Sequence, residues 1–231
     1  MTPADRGAFG IKGRSGSLTL WMALLVIVHA VGIAGVVFYD AGFILDLTAL
    51  NLLLTAAVVL GFGNPEDAWR WALTAYITYS VEVIGVQTGF PFGDYQYGTR
   101  LGTTLYDTPP LIGVLWLLTL MGTLYWAEQW APDRPGRNRS LLRAGIAASL
   151  MVAFDVILEP VAIRTEFWTW SGNAIPLRNY ISWWLIAFAL AWTWRKAFTF
   201  RTNRAAGLLL ILQAAFFIGL SLLPWKSWLL V

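Results

Sequence analysis

Long apolar stretches separated by short polar segments dominate this chain. Seven of them are close to the ~20 residues that a helix needs to cross a hydrocarbon core of ~30 Å. Their approximate positions are 18–38, 43–61, 69–88, 110–130, 141–163, 179–198 and 205–224. The pattern therefore predicts an all-α polytopic membrane bundle of about seven transmembrane helices, forming one transmembrane domain over residues 1–231.

The basic residues predict the orientation of this bundle. If the N-terminus lies inside, the inner segments hold most of the 16 lysines and arginines. The positive-inside rule then places a short basic tail, residues 1–17, in the cytoplasm and predicts a multi-pass protein of the cytoplasmic membrane. A cleaved signal peptide is the alternative for the first stretch, although its apolar run is long for one. The outer segments hold only Arg100, Arg164, Arg178 and Lys226.

Composition removes several classes of function. The chain is 58% hydrophobic and 13% charged, which excludes an ordinary soluble domain. It has no cysteine and a single histidine, His29, so neither a thiolate nor a histidine-rich metal site is expected. We expect His29 to form a hydrogen bond between helices. The net charge of +3 reflects topology rather than a nucleic-acid partner.

Missing motifs narrow the chemistry further. The chain shows no phosphate-binding loop, no dinucleotide fingerprint, no zinc-protease motif and no nucleophile elbow. A retinal protein needs a buried lysine, and the last apolar stretch contains none. We therefore predict a protein without cofactor or metal, and the sequence leaves its oligomeric state open.

Three carboxylic acids interrupt the apolar stretches. Glu82 lies about 13 residues beyond Trp69, or roughly 20 Å along the axis at a helical rise of ~1.5 Å per residue. Asp155 lies about 12 residues beyond Arg143, and Glu159 follows one turn later. Acidic side chains are costly at membrane depth and are commonly functional there. We expect these three to converge in the outer half of the bundle.

The i, i+4 spacing of Asp155 and Glu159 indicates proton chemistry. Two carboxylates this close in a low dielectric do not both ionise readily, so one proton is retained on the pair or shared with Glu82. A buried neutral acid is a proton donor. The alternative is a structural role, in which the acids pair with Arg164, with Arg178 or with helix dipoles.

Two aromatic segments follow the acids and are predicted as outer loops. Residues 89–97 interleave large rings with glycine and proline, and residues 167–170 read FWTW. Acids beside electron-rich ring faces suit protonation of an apolar alkene and stabilisation of the carbocation. Capture by water would make a hydratase and internal capture a cyclase. A proton-coupled transporter also uses buried acids, so these residues leave three functions open.

Two ordered motifs resemble a known family. The segment EVIGVQTGFPFGDYQY, residues 82–97, precedes Leu101-Gly102 and a Pro-Pro pair ahead of Trp116. The segment DVILEPVA, residues 155–162, precedes WTW and IPLRNY in the same order as in that family. The chain resembles the membrane-embedded carotenoid 1,2-hydratases of bacteria and archaea, which include bisanhydrobacterioruberin hydratases.

The resemblance implies a cofactor-independent hydro-lyase that adds water to the terminal 1,2 double bond of lycopene or another acyclic, ψ-ended carotenoid. On this hypothesis Asp155 protonates C2, Glu159 tunes or reloads it, and Glu82 orients or deprotonates the water. Membrane lycopene cyclases also begin by protonating an alkene, so a cyclase remains the alternative. The side chains expected around the end group are Phe90, Phe92, Asp94, Tyr95, Tyr97, Trp168, Trp170, Asn179 and Trp183.

Overall fold

The apolar stretches fold into helices, and a two-stranded ribbon joins two of the connecting segments. The computed structural model describes residues 5–131, 137–195 and 202–222, with side chains from residue 18 onward except those of 137 and 173. In chain order the elements are α1 (Asp5–Phe38), α2 (Ala41–Asp46), α3 (Thr48–Gly61), α4 (Ala68–Thr88), β1 (Tyr95–Tyr97), α5 (Leu111–Trp130), α6 (Arg137–Arg164), β2 (Trp168–Trp170), α7 (Leu177–Thr193) and α8 (Arg204–Leu222).

Every predicted apolar stretch contains helix. The second is divided between α2 and α3 at Leu47, and the sixth is helical only as far as Thr193. Helix α1 begins at Asp5, so the backbone of most of the predicted basic tail, residues 1–17, is also helical. The predicted ends at 198 and 224 lie outside the described residues. The all-α class is thus confirmed, apart from the two short strands.

The count of seven spans and the cytoplasmic N-terminus are not confirmed. In the described part of the chain, four helical segments are long and apolar enough to cross a membrane: Leu18–Phe38, Leu111–Trp130, Asn138–Arg164 and Arg204–Leu222. A fifth arises if α3 and α4, which meet at a bend of 118°, form one broken span. Helix α4 is less apolar because it carries Arg70 and Glu82, and α7 has only 17 residues.

Helix α5 forms the centre of the bundle. It packs against α4, α6 and α8, and two thirds of its apolar window is buried, compared with 17% for α1. Close approach depends on glycine: a Cβ at Gly113 would lie 2.2 Å from the Ala75 carbonyl oxygen, and one at Gly122 would lie 2.8 Å from that of Ala206. Small residues at contacts of this kind let helix backbones pack tightly in membranes.

The two segments predicted as outer loops instead pair as a short β-ribbon, whose strands contact α4 and α6. Helix α4 ends at Thr88 and is capped by Gly89, whose φ of +71° suits a residue without a side chain. Strand β1 then pairs antiparallel with β2, with Tyr95 opposite Trp170 and Tyr97 opposite Trp168. Because side chains alternate along a strand, these four rings share one face of the ribbon.

The tight contact at Gly113 generates a stability prediction. We expect Gly113→Ala to lower the free energy of unfolding by about 1–3 kcal/mol, since the added methyl group meets the backbone of α4. Gly145→Ala is the matched control, because a Cβ at Gly145 has open space around it. Thermal unfolding in detergent measures both. Equal melting temperatures for the two variants would contradict the close α4–α5 packing.

Candidate active site

A cavity of about 90 Å³ lies between the helices and the inner face of the ribbon. Its walls come from α3 to α8 and from both strands, and they are mostly apolar. The three acids predicted from the sequence all line it: Glu82 is 3% exposed, Asp155 1% and Glu159 2%. Their expected convergence is thus observed, from α4 and α6.

Glu82 is held by three hydrogen-bond donors. Its Oε2 accepts the phenol hydroxyls of Tyr95 at 2.5 Å and Tyr97 at 2.7 Å. Its Oε1 accepts the indole N–H of Trp116 at 2.8 Å. Donors directed at both oxygens stabilise the ionised form of a buried carboxyl group. Glu82 is therefore fixed in position, with both of its carboxyl oxygens used as acceptors.

The two phenols bonded to Glu82 remain protonated. Burial, followed by the nearby Glu82 carboxyl group, raises the pKa of both Tyr95 and Tyr97 above the usual value for tyrosine. A glycine makes room for this contact, because a Cβ at Gly85 on α4 would lie 2.8 Å from the Tyr95 hydroxyl. The tyrosines of β1 therefore serve as donors.

Glu159 is held by the other strand of the ribbon. Its Oε2 accepts the indole N–H groups of Trp168 and Trp170, each at 3.0 Å. Since an indole can only donate, these contacts fix one oxygen of Glu159 as an acceptor. One β-ribbon thus supplies four donors, two to each glutamate.

Asp155 has the fewest donors of the three acids. Its Oδ2 accepts the side-chain N–H of Asn179 on α7 at 3.0 Å. Its Oδ1 is buried and has no hydrogen-bond partner among the described residues. An unpartnered buried oxygen is costly for a carboxylate, whereas a protonated carboxyl group can turn its O–H toward the cavity. This acid is the one that the geometry suits to carry a proton.

Aromatic rings form much of the remaining wall. Trp116 and Trp183 stack with centroids 4.0 Å apart, and the Tyr95 ring lies 5.0 Å from that of Trp170. Faces of such rings attract positive charge. The cavity therefore combines proton-bearing groups with surfaces that stabilise a cation.

The alternative prediction, in which the three acids pair with Arg164 or Arg178, does not describe this site. Within the described ranges, none of the three acids forms a salt bridge, and Arg178 instead lies 3.9 Å from Asp94. Arg164 lies at the exposed end of α6. Among the same residues, no three His, Asp or Glu side chains are placed to hold one metal ion.

The cavity contains most of the predicted pocket residues but not all. Phe90 is 70% exposed, and the Asp94 side chain is also 70% exposed, so the structure brings neither to the cavity. Both follow Gly89, whose φ is +71°, and they lie on either side of Phe92, which is 1% exposed. The predicted residues that do line the cavity are Phe92, Tyr95, Tyr97, Trp168, Trp170, Asn179 and Trp183.

Sequence reasoning missed Trp116, Thr119 and Gln213 as lining residues. Trp116 carried a usable signal, because an indole in the middle of an apolar helix needs an acceptor for its N–H. Gln213 also interrupts an apolar stretch, but its distance from Glu82 in the sequence gave no indication that both line one cavity.

Comparison with known proteins identifies the family of this chain. The profile of the family described as "Carotenoid biosynthesis protein" matches residues 38–229. A bisanhydrobacterioruberin hydratase from Haloarcula japonica is 30% identical over 116 residues, which cover 48% of this chain and 39% of the relative. The match thus spans less than half of either protein. No solved structure matches the chain.

The donors to Glu82 generate a second stability prediction. We expect Tyr95→Phe and Tyr97→Phe each to lower the free energy of unfolding by about 1–3 kcal/mol, because each leaves a buried carboxyl group with fewer donors. Tyr76→Phe is the matched control on α4, where the ring is 68% exposed. Thermal unfolding followed by tryptophan fluorescence gives the comparison. If all three variants melt together, the phenols do not stabilise Glu82.

Proposed function

Because the chain belongs to the carotenoid biosynthesis protein family, we propose that it is a carotenoid hydratase. It adds water to the terminal 1,2 double bond of lycopene or another acyclic, ψ-ended carotenoid, as a hydro-lyase without a cofactor. The observation that carries this proposal is that the acids lining one aromatic cavity differ in their number of hydrogen-bond donors. Asp155 has an unpartnered oxygen, whereas Glu82 is fixed by three donors.

Asp155 donates the first proton. The π electrons of the terminal double bond form a new C–H bond at C2, and the positive charge develops at C1. That position is favoured because the resulting cation is tertiary. Asn179 holds Oδ2 of Asp155, and Oδ1 has no hydrogen-bond partner among the described residues.

Aromatic faces then stabilise the cation until water arrives. The stacked indoles of Trp116 and Trp183 and the rings of the ribbon present π faces around the cavity. They also exclude bulk water, which limits loss of the proton before capture. The cation is therefore shielded from bulk water, and the aromatic rings stabilise it without forming a bond to it.

Capture by water completes the addition. Glu82 orients this water, the water oxygen forms a bond to C1, and the resulting oxonium loses one O–H proton to the Glu82 carboxylate. The proton returns to Asp155, with Glu159 one helical turn away as the group that relays it. The net change is one water added to one double bond, and all three acids regain their starting states.

Coexpression with a lycopene-producing bacterial pathway tests the proposal. We expect extracted pigments to gain the mass of one water per modified end group. Unchanged mass with altered absorption would instead indicate a cyclase. If lycopene is unaltered, the same test with a monocyclic carotenoid that keeps one ψ end decides the matter, and the absence of any product there would overturn the hydratase proposal.

Substitution of the proton donor gives a sharper prediction. We expect Asp155→Asn to lower product formation by about 10²- to 10⁴-fold, the range that general acid catalysis contributes. We expect a comparable loss for Glu82→Gln, because its amide N–H₂ would face groups that are themselves donors. Asp94→Asn is the control, since Asp94 lies outside the cavity. Near-normal turnover by Asp155→Asn would remove Asp155 from the role of acid.

A further inference from the structure

The attacking water needs a binding site in the cavity, and Glu82 supplies only part of one. A bound water molecule commonly makes about three hydrogen bonds to polar groups. Glu82 Oε2 already accepts the hydroxyls of Tyr95 and Tyr97, while Oε1 accepts the indole N–H of Trp116 and has one lone pair left. Glu82 can therefore hold one O–H of the water, and the other O–H needs a second acceptor.

Gln213 on α8 is a polar side chain of the cavity that has no partner. Several polar side chains in the apolar helices are satisfied within their own helix. His29 Nδ1 donates to the Leu25 carbonyl oxygen at 2.8 Å, within α1 rather than across helices as predicted, and Thr78 donates to the Thr74 carbonyl oxygen. Gln213 lines the cavity, but among the described residues its amide forms no hydrogen bond. Unsatisfied polar groups cost free energy in a membrane, so this amide is suited to bind a molecule in the cavity.

Two contacts show that α5 and α8 run antiparallel. The indole N–H of Trp126 donates to the Gly207 carbonyl oxygen at 3.0 Å. Four residues earlier on α5, a Cβ at Gly122 would lie 2.9 Å from the Cβ of Leu210, which is three residues later on α8. Each turn toward the start of α5 thus corresponds to a turn toward the end of α8.

This pairing brings Thr119 level with Gln213. Thr119 lies three residues before Gly122, and Gln213 lies three residues after Leu210, so the next turn of each helix presents one of them to the cavity. The Thr119 hydroxyl donates to the Leu115 carbonyl oxygen at 2.8 Å, which leaves its own oxygen as an acceptor. The wall formed by α5 and α8 therefore offers two oxygen acceptors and one amide donor.

An amide suits the capture of a cation better than a further carboxyl group does. A water beside Asp155 or Glu159 would compete with the alkene for the proton, whereas an amide is too weak a base to take it. The carbonyl oxygen of Gln213 can accept the second O–H of a water whose first O–H is held by Glu82. Both hydrogens are then fixed, and a lone pair of the water is left for the carbon.

We propose that Gln213, with Thr119 beside it, binds the water that captures the cation, and that this pair commits the reaction to hydration rather than to internal capture. The inference rests on the proposed hydratase function, which supplies the cation. The water donates one O–H to Glu82 and the other to Gln213 Oε1, and its lone pair forms the bond to C1. The oxonium then loses its proton to Glu82.

Methanol as a competing nucleophile tests this site. The full-length protein in detergent is supplied with lycopene, or with the monocyclic carotenoid if coexpression selects it, in buffer that contains methanol. The methanol oxygen bonds to C1 and its O–H proton passes to Glu82, which gives a 1-methoxy in place of a 1-hydroxy end group. Gln213→Asn keeps the amide and removes one methylene, which makes room for the methyl group of methanol.

We expect Gln213→Asn to raise the ratio of methoxy to hydroxy product about tenfold over the unsubstituted protein, since one carbon in a close-fitting pocket contributes about that much selectivity. Gln96→Asn is the matched control, because Gln96 is the exposed residue of β1 and lies outside the cavity. Its product ratio should equal that of the unsubstituted protein. A purely structural effect of the Gln213 substitution would lower both products together and leave their ratio unchanged.

Loss of the amide tests the same site through the rate. We expect Gln213→Leu to lower kcat for hydration about tenfold, as the loss of one buried hydrogen bond predicts. KM for the carotenoid should stay the same, because the water and not the carotenoid loses a partner. Thr119→Val, which keeps the size of the side chain, should give a loss in the same direction and replaces a Gln213 variant that does not fold.

The proposal is overturned if Gln213→Asn gives the product ratio of the unsubstituted protein, if it stays folded but forms neither product, or if Gln213→Leu hydrates at full kcat. Failure of the proposed function looks different. An unsubstituted protein that adds neither water nor methanol loses the function and the water site together. One that hydrates while Gln213→Asn leaves the ratio unaltered keeps the function and loses only the water site.

Discussion

The site depends on one arrangement of hydrogen bonds, in which a short β-ribbon fixes two buried glutamates. Tyr95 and Tyr97 on one strand donate to Glu82, and Trp168 and Trp170 on the other donate to Glu159. Burying a carboxyl group costs free energy unless hydrogen-bond donors satisfy it. By supplying these donors, the ribbon lowers the cost of burying the two glutamates in the helix bundle. Bundle, ribbon and acids therefore form one interdependent unit.

Hydropathy predicted most of the fold, because membrane helices follow from long apolar runs alone. The convergence of Glu82, Asp155 and Glu159 could also be predicted, since helical rise fixes their depth. The ribbon could not be predicted from the sequence. Its strands have three residues each and pair across more than 70 positions, and strands this short leave no distinct period in the sequence.

The weak sequence signal of such short strands also explains why two residues were wrongly predicted to line the cavity. Phe90 and Asp94 share the aromatic segment with Phe92 and Tyr95, but a turn and the alternation of a strand decide which of them face inward. Composition cannot resolve this alternation. Trp116 was missed for a different reason: a tryptophan in a membrane helix is ordinarily assigned to the interface, although an indole N–H in the middle of an apolar helix needs an acceptor, which here is Glu82.

The donors around Glu82 are all neutral side chains, and this has an electrostatic consequence. Tyrosine and tryptophan orient a carboxylate without cancelling its charge, whereas a lysine or arginine would form a compensated pair. In an enclosed cavity of low dielectric the uncompensated charge acts strongly over several ångströms. Under the proposed mechanism, the first counter-charge to reach Glu82 would be the cation formed on the bound molecule, and the field of an ionised Glu82 would favour that cation over the neutral alkene that precedes it.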